Sequence, residues 1–299
     1  MSQTLTGAVR LTDWGVIRAE GEDAAKFLHS QLTQDFALLG LNEARFAGFC
    51  SAKGRLLATM IGWKQSETTI LLALPLELLP PIQKRLSMFV LRAKCKLSDA
   101  SGEIGLWGAV GAADESARWS LQRHGDAVQI RLPDAGEGSR WLVASATAPE
   151  LPVIPAEDWQ WGTLASGLPM VVAATTEQFV PQMLNLELLG GVNFQKGCYP
   201  GQEVVARSQY RGTLKRRTYL YELDGTAQAG QEIFHSEDPG QPAGLVANSA
   251  HRGTQSLVLA ETKIAALASG SLHLGAPDGP VLTPRTLPYL IDSSLTDPQ

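Results

Sequence analysis

The longest apolar stretch of the chain, residues 70–82, is interrupted by Pro75, Glu77, Pro80 and Pro81. It falls short of the roughly 20 apolar residues that cross a bilayer. The prolines also forbid one long internal helix. The stretch therefore divides: 68–74 reads as an apolar strand and 78–90 as an amphipathic helix. The rest of the chain repeats this pattern of short apolar runs stopped by Gly, Pro or Asp. Residues 9–19 read as one strand, with Val16 and Ile17 at its centre. A helix follows, with Asp23 as its N-cap and Phe27, Leu28, Gln31 and Leu32 at helical spacing. Residues 44–50 and 55–63 form a hairpin closed by the turn Ser51 to Gly54, and 94–99 adds a strand. Beyond it, 104–110, 127–132 and 141–144 are strand-like, 114–122 is helical, and the proline-rich connection 150–155 leads to a helix over 157–165. From Lys215 the texture changes to short strands at 217–223, 231–235, 243–248, 256–266 and 281–283. That is the pattern of a small antiparallel barrel or sandwich. The order of elements defines an α+β chain with mixed sheets, and a boundary near Thr213.

A chain of 299 residues is long enough for about two domains. Its net charge of −5 opposes a role as a general nucleic-acid coat, so direct nucleic-acid binding is not expected. The three cysteines, Cys50, Cys95 and Cys198, stand far apart with no C-x-x-C pair. This suits a reducing compartment and argues against a metal or cluster held by this chain's own thiolates. The first fifteen residues lack the apolar core of a secretory signal. A cytoplasmic protein with no membrane span and no metal site is expected.

The densest chemical signal is the segment Gly190 to Arg207, which contains Lys196-Gly-Cys-Tyr-Pro-Gly-Gln-Glu203. Two glycines precede a short apolar strand, and Pro200 reads as the first residue of a helix, a position that suits proline. Cys198 then lies just outside a helix N-terminus. There the dipole and free N–H groups favour a thiolate, and Lys196 adds positive charge. A lowered thiol pKa and a reactive Cys198 are expected. Cys50 and Cys95, set in apolar runs, read as packing residues. Glu203, Arg207 and Arg211 follow at spacings of four, an order that supports a helix, and Gly212 stops it. Lys215, Arg216 and Arg217 extend a basic patch suited to an anionic partner: a polyglutamate tail, a phosphate or an RNA backbone.

Lys196 to Glu203, followed by Val205-Ala-Arg207 and Tyr210-Arg-Gly212, resembles the signature of the YgfZ family, relatives of the glycine-cleavage aminomethyltransferase. Gly21 to Leu28 with Gln31 to Asp35 resembles that family's first helix, and Ala52-Lys-Gly-Arg55 its hairpin turn. Phe179-Val-Pro-Gln182 with Asn185 and Gly190-Gly191 resembles the run into the signature. The resemblance covers most of the chain and fades after about Asp224. It implies an aminomethyltransferase-like multi-domain fold, with mixed sheets around a central folate channel and a C-terminal antiparallel β-barrel. The division it implies is 1–213, a folate-binding α+β region of two interleaved subdomains, and 214–299, the barrel. It further implies binding of tetrahydrofolate or a one-carbon derivative, and support of iron–sulfur enzymes or assembly proteins, including enzymes that modify tRNA. By position it places Trp14, Trp159, Gln202, Glu203 and Arg207 at the folate, with Cys198 and Lys196 at the chemistry. A flat pterin stacks well on indole, which agrees with the tryptophans. There is one departure. Aminomethyltransferases commonly carry a glutamate two residues before the equivalent of Gly167, and here that residue is Ala165.

Three functions compete on these residues. The first is a folate-dependent accessory protein for iron–sulfur enzymes, with Cys198 as its chemical residue. The second is a folate-dependent aminomethyltransferase, against which Ala165 counts. The third is a cysteine-dependent transferase or hydrolase. It needs a base, and none of His29, His124, His235, His251 and His273 is near Cys198 in sequence.

Overall fold

The computed structural model describes residues 5–136, 138–210 and 214–291. The segment 9–19, expected as one strand, is two. β1 (Gly7–Arg10) and β2 (Trp14–Glu20) belong to different sheets. Two exposed polar residues, Thr12 and Asp13, separate them. Leu11 N–H still donates to Leu106 O, while Asp13 O already accepts from Leu76 N–H, so three residues pass the chain from one sheet to the other.

α1 (Ala24–Gln31) buries Ala24, Phe27 and Leu28. Asp23, expected as its cap, makes no capping bond. Its carboxylate accepts from Lys94 N–H instead, 71 residues away. The hairpin follows as expected: β3 (Ala44–Cys50) pairs with β4 (Leu56–Ser66), which pairs with β5 (Thr69–Pro75). Pro75 ends β5, and α2 (Leu79–Val90) turns Leu79, Ile82 and Leu86 into the core. β6 (Lys96–Asp99) completes an antiparallel sheet of order β3-β4-β5-β2-β6. The centre of β4 and nearly all of β5 are buried on both faces, which is why they read as continuous apolar runs.

The second sheet, of order β1-β7-β10-β9-β8, is built from β1, β7 (Gly105–Gly111), β8 (Leu121–His124), β9 (Ala127–Arg131) and β10 (Ser139–Ser145). The helix expected over 114–122 is absent. The Asp114 carboxylate accepts from Ser116 N–H, closing a turn, and Trp119 holds a positive φ of 69°, outside helical geometry. Trp119 instead stacks on Phe46 of β3 with centroids 5.5 Å apart. Packing between the two sheets has overridden the local period.

α3 (Ala156–Ala165) and α4 (Gln202–Tyr210) lead to a third sheet. It holds β11 (Arg216–Asp224), β12 (Glu232–His235), β13 (Asp238–Arg252), β14 (Gln255–Lys263), β15 (Leu272–Leu274) and β16 (Thr283–Arg285). The order is β15-β12-β13-β14-β11-β16, a half-barrel covered on one side by α3. The α+β class holds. Among the described residues the ladders are antiparallel, and parallel pairing is confined to the bridge Ala8–Val153. No described helix is long and apolar enough to cross a membrane.

Two local expectations fail near the signature. Residues 192–194 are loop rather than strand, and the helix begins at Gln202, not at Pro200. Arg211, Gly212 and the boundary at Thr213 lie outside the described residues.

Candidate ligand cavity and cysteine loop

A cavity of about 630 Å³ opens where the three sheets meet. Its wall takes Trp14 and Asp13 from the β1–β2 crossing, Glu77 from the approach to α2, Trp159 from α3, and Asn248 from β13. Its volume and its mix of aromatic walls with few polar groups are those of small-ligand sites. The two tryptophans stand differently in it. Trp14 is half-buried, with part of its surface free. Trp159 is buried, because a Cβ at Gly108 on β7 would come within 2.2 Å of its ring, and Arg140 holds its guanidinium 4.3 Å from the ring centroid. Only glycine permits that approach of indole to backbone. Burial without an acidic hydrogen-bond partner lowers the Arg140 guanidinium to about 9; its donors serve Ser166 Oγ, Thr163 Oγ1 and Pro133 O. Several polar groups of the cavity are already committed. Asn248 bonds both backbone groups of Met170, and Glu77 accepts from Ala173 N–H. The Asp13 carboxylate has no hydrogen-bond or ion-pair partner among the described residues. Ala165 does not reach this cavity. It packs toward Leu220, Leu257 and Leu259 of the half-barrel.

Cys198 sits in a separate feature, the loop between Gly191 and Gly201. It is exposed, whereas Cys50 is buried and Cys95 half-buried. The loop is fixed at both ends. Asn193 Oδ1 accepts from the N–H groups of Gln195 and Lys196, and Asn193 N–H donates to Thr33 O. At the far end Gly201, with φ +78°, packs on the hairpin turn. A Cβ there would lie 2.5 Å from Ser51 O and 2.6 Å from Gly54 Cα. The turn 52–55 and the signature, read as separate motifs, are thus one interlocked structure.

Lys196 is turned inward, not toward solvent beside the thiol. Its ammonium donates to Leu32 O at 3.0 Å and to His29 O, capping the C-terminus of α1, and lies 4.6 Å from the Tyr199 ring centroid. Burial lowers it to about 8, although the charges of Asp35 and Cys198 both work to keep it protonated. The same helix end brings in a histidine that sequence spacing could not reveal. A Cβ at Gly197 would lie 3.3 Å from His29 Nε2, while His29 Nδ1 lies 3.0 Å from Asp35 Oδ1. Burial raises the Asp35 carboxyl, but hydrogen bonds from Leu38 N–H and His29 outweigh it and hold the group below its ordinary value. The Asp35 carboxylate faces His29 Nδ1, and His29 Nε2 is turned toward the backbone at Gly197. An imidazole thus stands beside Gly197, the residue that precedes Cys198 in the chain.

The remaining site residues separate from these two features. Gln202, Glu203 and Arg207 lie on α4, and none of them, nor Lys196 or Cys198, lines the tryptophan cavity. Glu203 and Arg207 are exposed and form no salt bridge among the described residues, so that part of the expected ladder is a solvated helix face. The expected basic patch at 215–217 dissolves. Arg217 is wholly buried against Glu187, and Arg216 bonds Glu261 at 2.8 Å. The alternation of β11 sends adjacent arginines to opposite faces, where each meets a buried carboxylate.

The fold defined by these sheets is that of an aminomethyltransferase. It matches the glycine cleavage system aminomethyltransferase T of Bartonella henselae with a TM-score of 0.69, over 96% of this chain and 87% of that one, at 17% identity. No protein-family model matches the chain. Its sequence is 30% identical over 243 residues to the tRNA-modifying protein YgfZ of Hamiltonella defensa, spanning 73% of this chain and 70% of that protein. It is 31% identical over 241 residues to the tRNA-modifying protein YgfZ of Edwardsiella ictaluri, spanning 74% and 71%. The chain belongs to the YgfZ family.

Proposed function

We propose that this chain is a cytoplasmic folate-binding protein that serves tRNA modification by supporting iron–sulfur enzymes, with Cys198 as its chemical residue. The observation that carries the reading is the convergence of Trp14 and Trp159, 145 residues apart in sequence, on one cavity of about 630 Å³. The cavity fits tetrahydrofolate or a one-carbon derivative in kind. Trp14 offers a stacking face, Arg10 on the rim suits a tail carboxylate, and the uncommitted Asp13 carboxylate can accept from the pterin N–H groups. Asp13 would take the part that Ala165 cannot. When bound, the folate would supply a one-carbon carrier; the protein's share is to stack, orient and shield it.

Titration with tetrahydrofolate and its one-carbon derivatives should quench tryptophan fluorescence. Trp14→Ala should weaken binding by about 1–3 kcal/mol, the worth of a base-like stacking contact. Trp159→Phe, which keeps a ring on Gly108, should weaken it less, and Asp13→Asn should weaken it without unfolding the chain. Affinity unchanged in all three would remove folate from this cavity.

The His29–Asp35 pair beside Gly197 favours a second reading, a cysteine-dependent transferase in which Cys198 gives its proton to His29 Nε2. The two readings part on folate: a transferase of this kind would retain its activity when the Trp14 cavity is disabled.

A further inference from the structure

We propose that the C-terminal end of α2 and the turn after it form a docking surface for the phosphate backbone of RNA. Between residues 84 and 96 the chain carries five cations and no acid, although its net charge is −5. Two of the five are compensated. Lys94 pairs with Glu22, and Lys96 stands opposite Glu20 across the β2–β6 ladder. Lys84, Arg85 and Arg92 are exposed and enter no salt bridge among the described residues. Acidic proteins repel polyanions at long range, so a local run of unpaired cations is where an RNA would be held.

Between these cations three apolar side chains face solvent: Met88 at 66% exposure, Phe89 at 41% and Leu91 at 87%. Leu91 is held at φ 45°, ψ −103°, a conformation that suits glycine and not a branched side chain. No packing returns that strain, because the side chain is almost entirely in water. Strain kept at an exposed tip is a mark of a functional position. The flat Phe89 ring can stack with an unpaired base. Charge decides the class of partner. Three exposed apolar side chains fall short of the roughly 800 Å² that each side of a standard protein interface buries.

The surface is distinct from the folate cavity. The approach to α2 lines that cavity at Pro75 to Glu77, whereas the tip lies a 12-residue helix away, about 18 Å. The choice of RNA rests on the tRNA-modification reading and sets a local cluster of unpaired cations against the expectation, drawn from the net charge of −5, of no direct nucleic-acid binding; the folate assignment is independent of it. Bulk tRNA, titrated by fluorescence anisotropy between 50 and 200 mM KCl (a range of roughly physiological ionic strength), provides the test. The intact chain should bind with a slope of log K against log salt near −3, about −0.9 for each phosphate neutralised. Combining Lys84→Ala, Arg85→Ala and Arg92→Ala should weaken binding at least tenfold (roughly, by loss of those contacts) and bring the slope toward zero. Phe89→Ala should weaken binding and leave the slope unchanged. Folate quenching in the triple variant should match the intact chain, so a failure of the cavity reading and a failure of this one are told apart. The proposal is overturned if tRNA does not bind at the lowest salt. It is equally overturned if the triple variant binds as well as the intact chain, or if vesicles containing phosphatidylserine bind at this tip and tRNA does not.

Discussion

Arg217→Ala is expected to lower the unfolding free energy by about 3–5 kcal/mol, the cost of breaking a buried ion pair from one side. Arg217 has no exposed surface, and it donates to Glu187, to Gln182 O at 3.1 Å and to Asn185 Oδ1 at 3.2 Å. These bonds fasten the half-barrel to the 181–187 segment, which in turn holds α4 through Gln182 Nε2 and Val205 O. Without the arginine, Glu187 is left as a buried charge. Burial already pushes its carboxyl up, against the attraction of Arg217. In the variant the neutral form is favoured further, so the carboxyl binds its proton more tightly folded than unfolded. Its contribution is then present below the unfolded value of about 4.3 and lost as pH rises. The deficit should grow as pH rises above about 5 in urea melts. Replacing both partners by apolar residues, Arg217→Met with Glu187→Leu, should recover most of the loss. A deficit below about 1 kcal/mol for Arg217→Ala would show that the pair does not hold the sheet in place.

Limited alkylation near neutral pH is expected to modify Cys198, the exposed thiol, well before the other two cysteines. Burial pushes the Cys50 thiol up to about 12, and burial with the Asp23 charge pushes Cys95 up to about 11. Thiolate is the nucleophile, so both are protected by chemistry as well as by access. His29→Ala should slow labelling of Cys198 if the imidazole beside Gly197 assists the thiol, and leave it unchanged otherwise. Lys196→Ala should slow it too. It should also cost about 1 kcal/mol of stability, because the ammonium caps α1. Cys198→Ser should fold normally and fail to support an iron–sulfur-dependent tRNA-modifying enzyme in cells. A serine variant that supports the enzyme fully would remove Cys198 from the chemistry.

What could be read from the sequence was local. The hairpin 44–63, α2 and α3 follow from apolar period and from Pro75 and Pro155, and the signature stood out by its spacing. What could not be read depends on partners far along the chain. Nothing in residues 9–19 marks the change of sheet, because membership is set by Leu106 and Leu76. Trp119 leaves helical geometry for Phe46, and Arg216 and Arg217 look like a basic patch until Glu261 and Glu187 arrive to neutralise them. The candidate site divides in the same way. The family resemblance singled out Trp14 and Trp159 and the local pattern singled out Cys198, while His29 became visible only when the end of α1 met Gly197. Lys84, Arg85 and Arg92 are ordinary surface residues as far as the sequence goes, and nothing there sets them apart. Their significance required knowing which of them lack a carboxylate.

The fit of Gly54 against Gly201 also sets an order of events in the cell. The hairpin turn is synthesised about 150 residues before the segment that seals it, and at about 5–20 residues per second that interval lasts roughly 10–30 s. Throughout it the turn at Gly54 stands without the segment that later closes over it. Ribosome pausing between the two glycines would prolong the exposure and favour aggregation over folding.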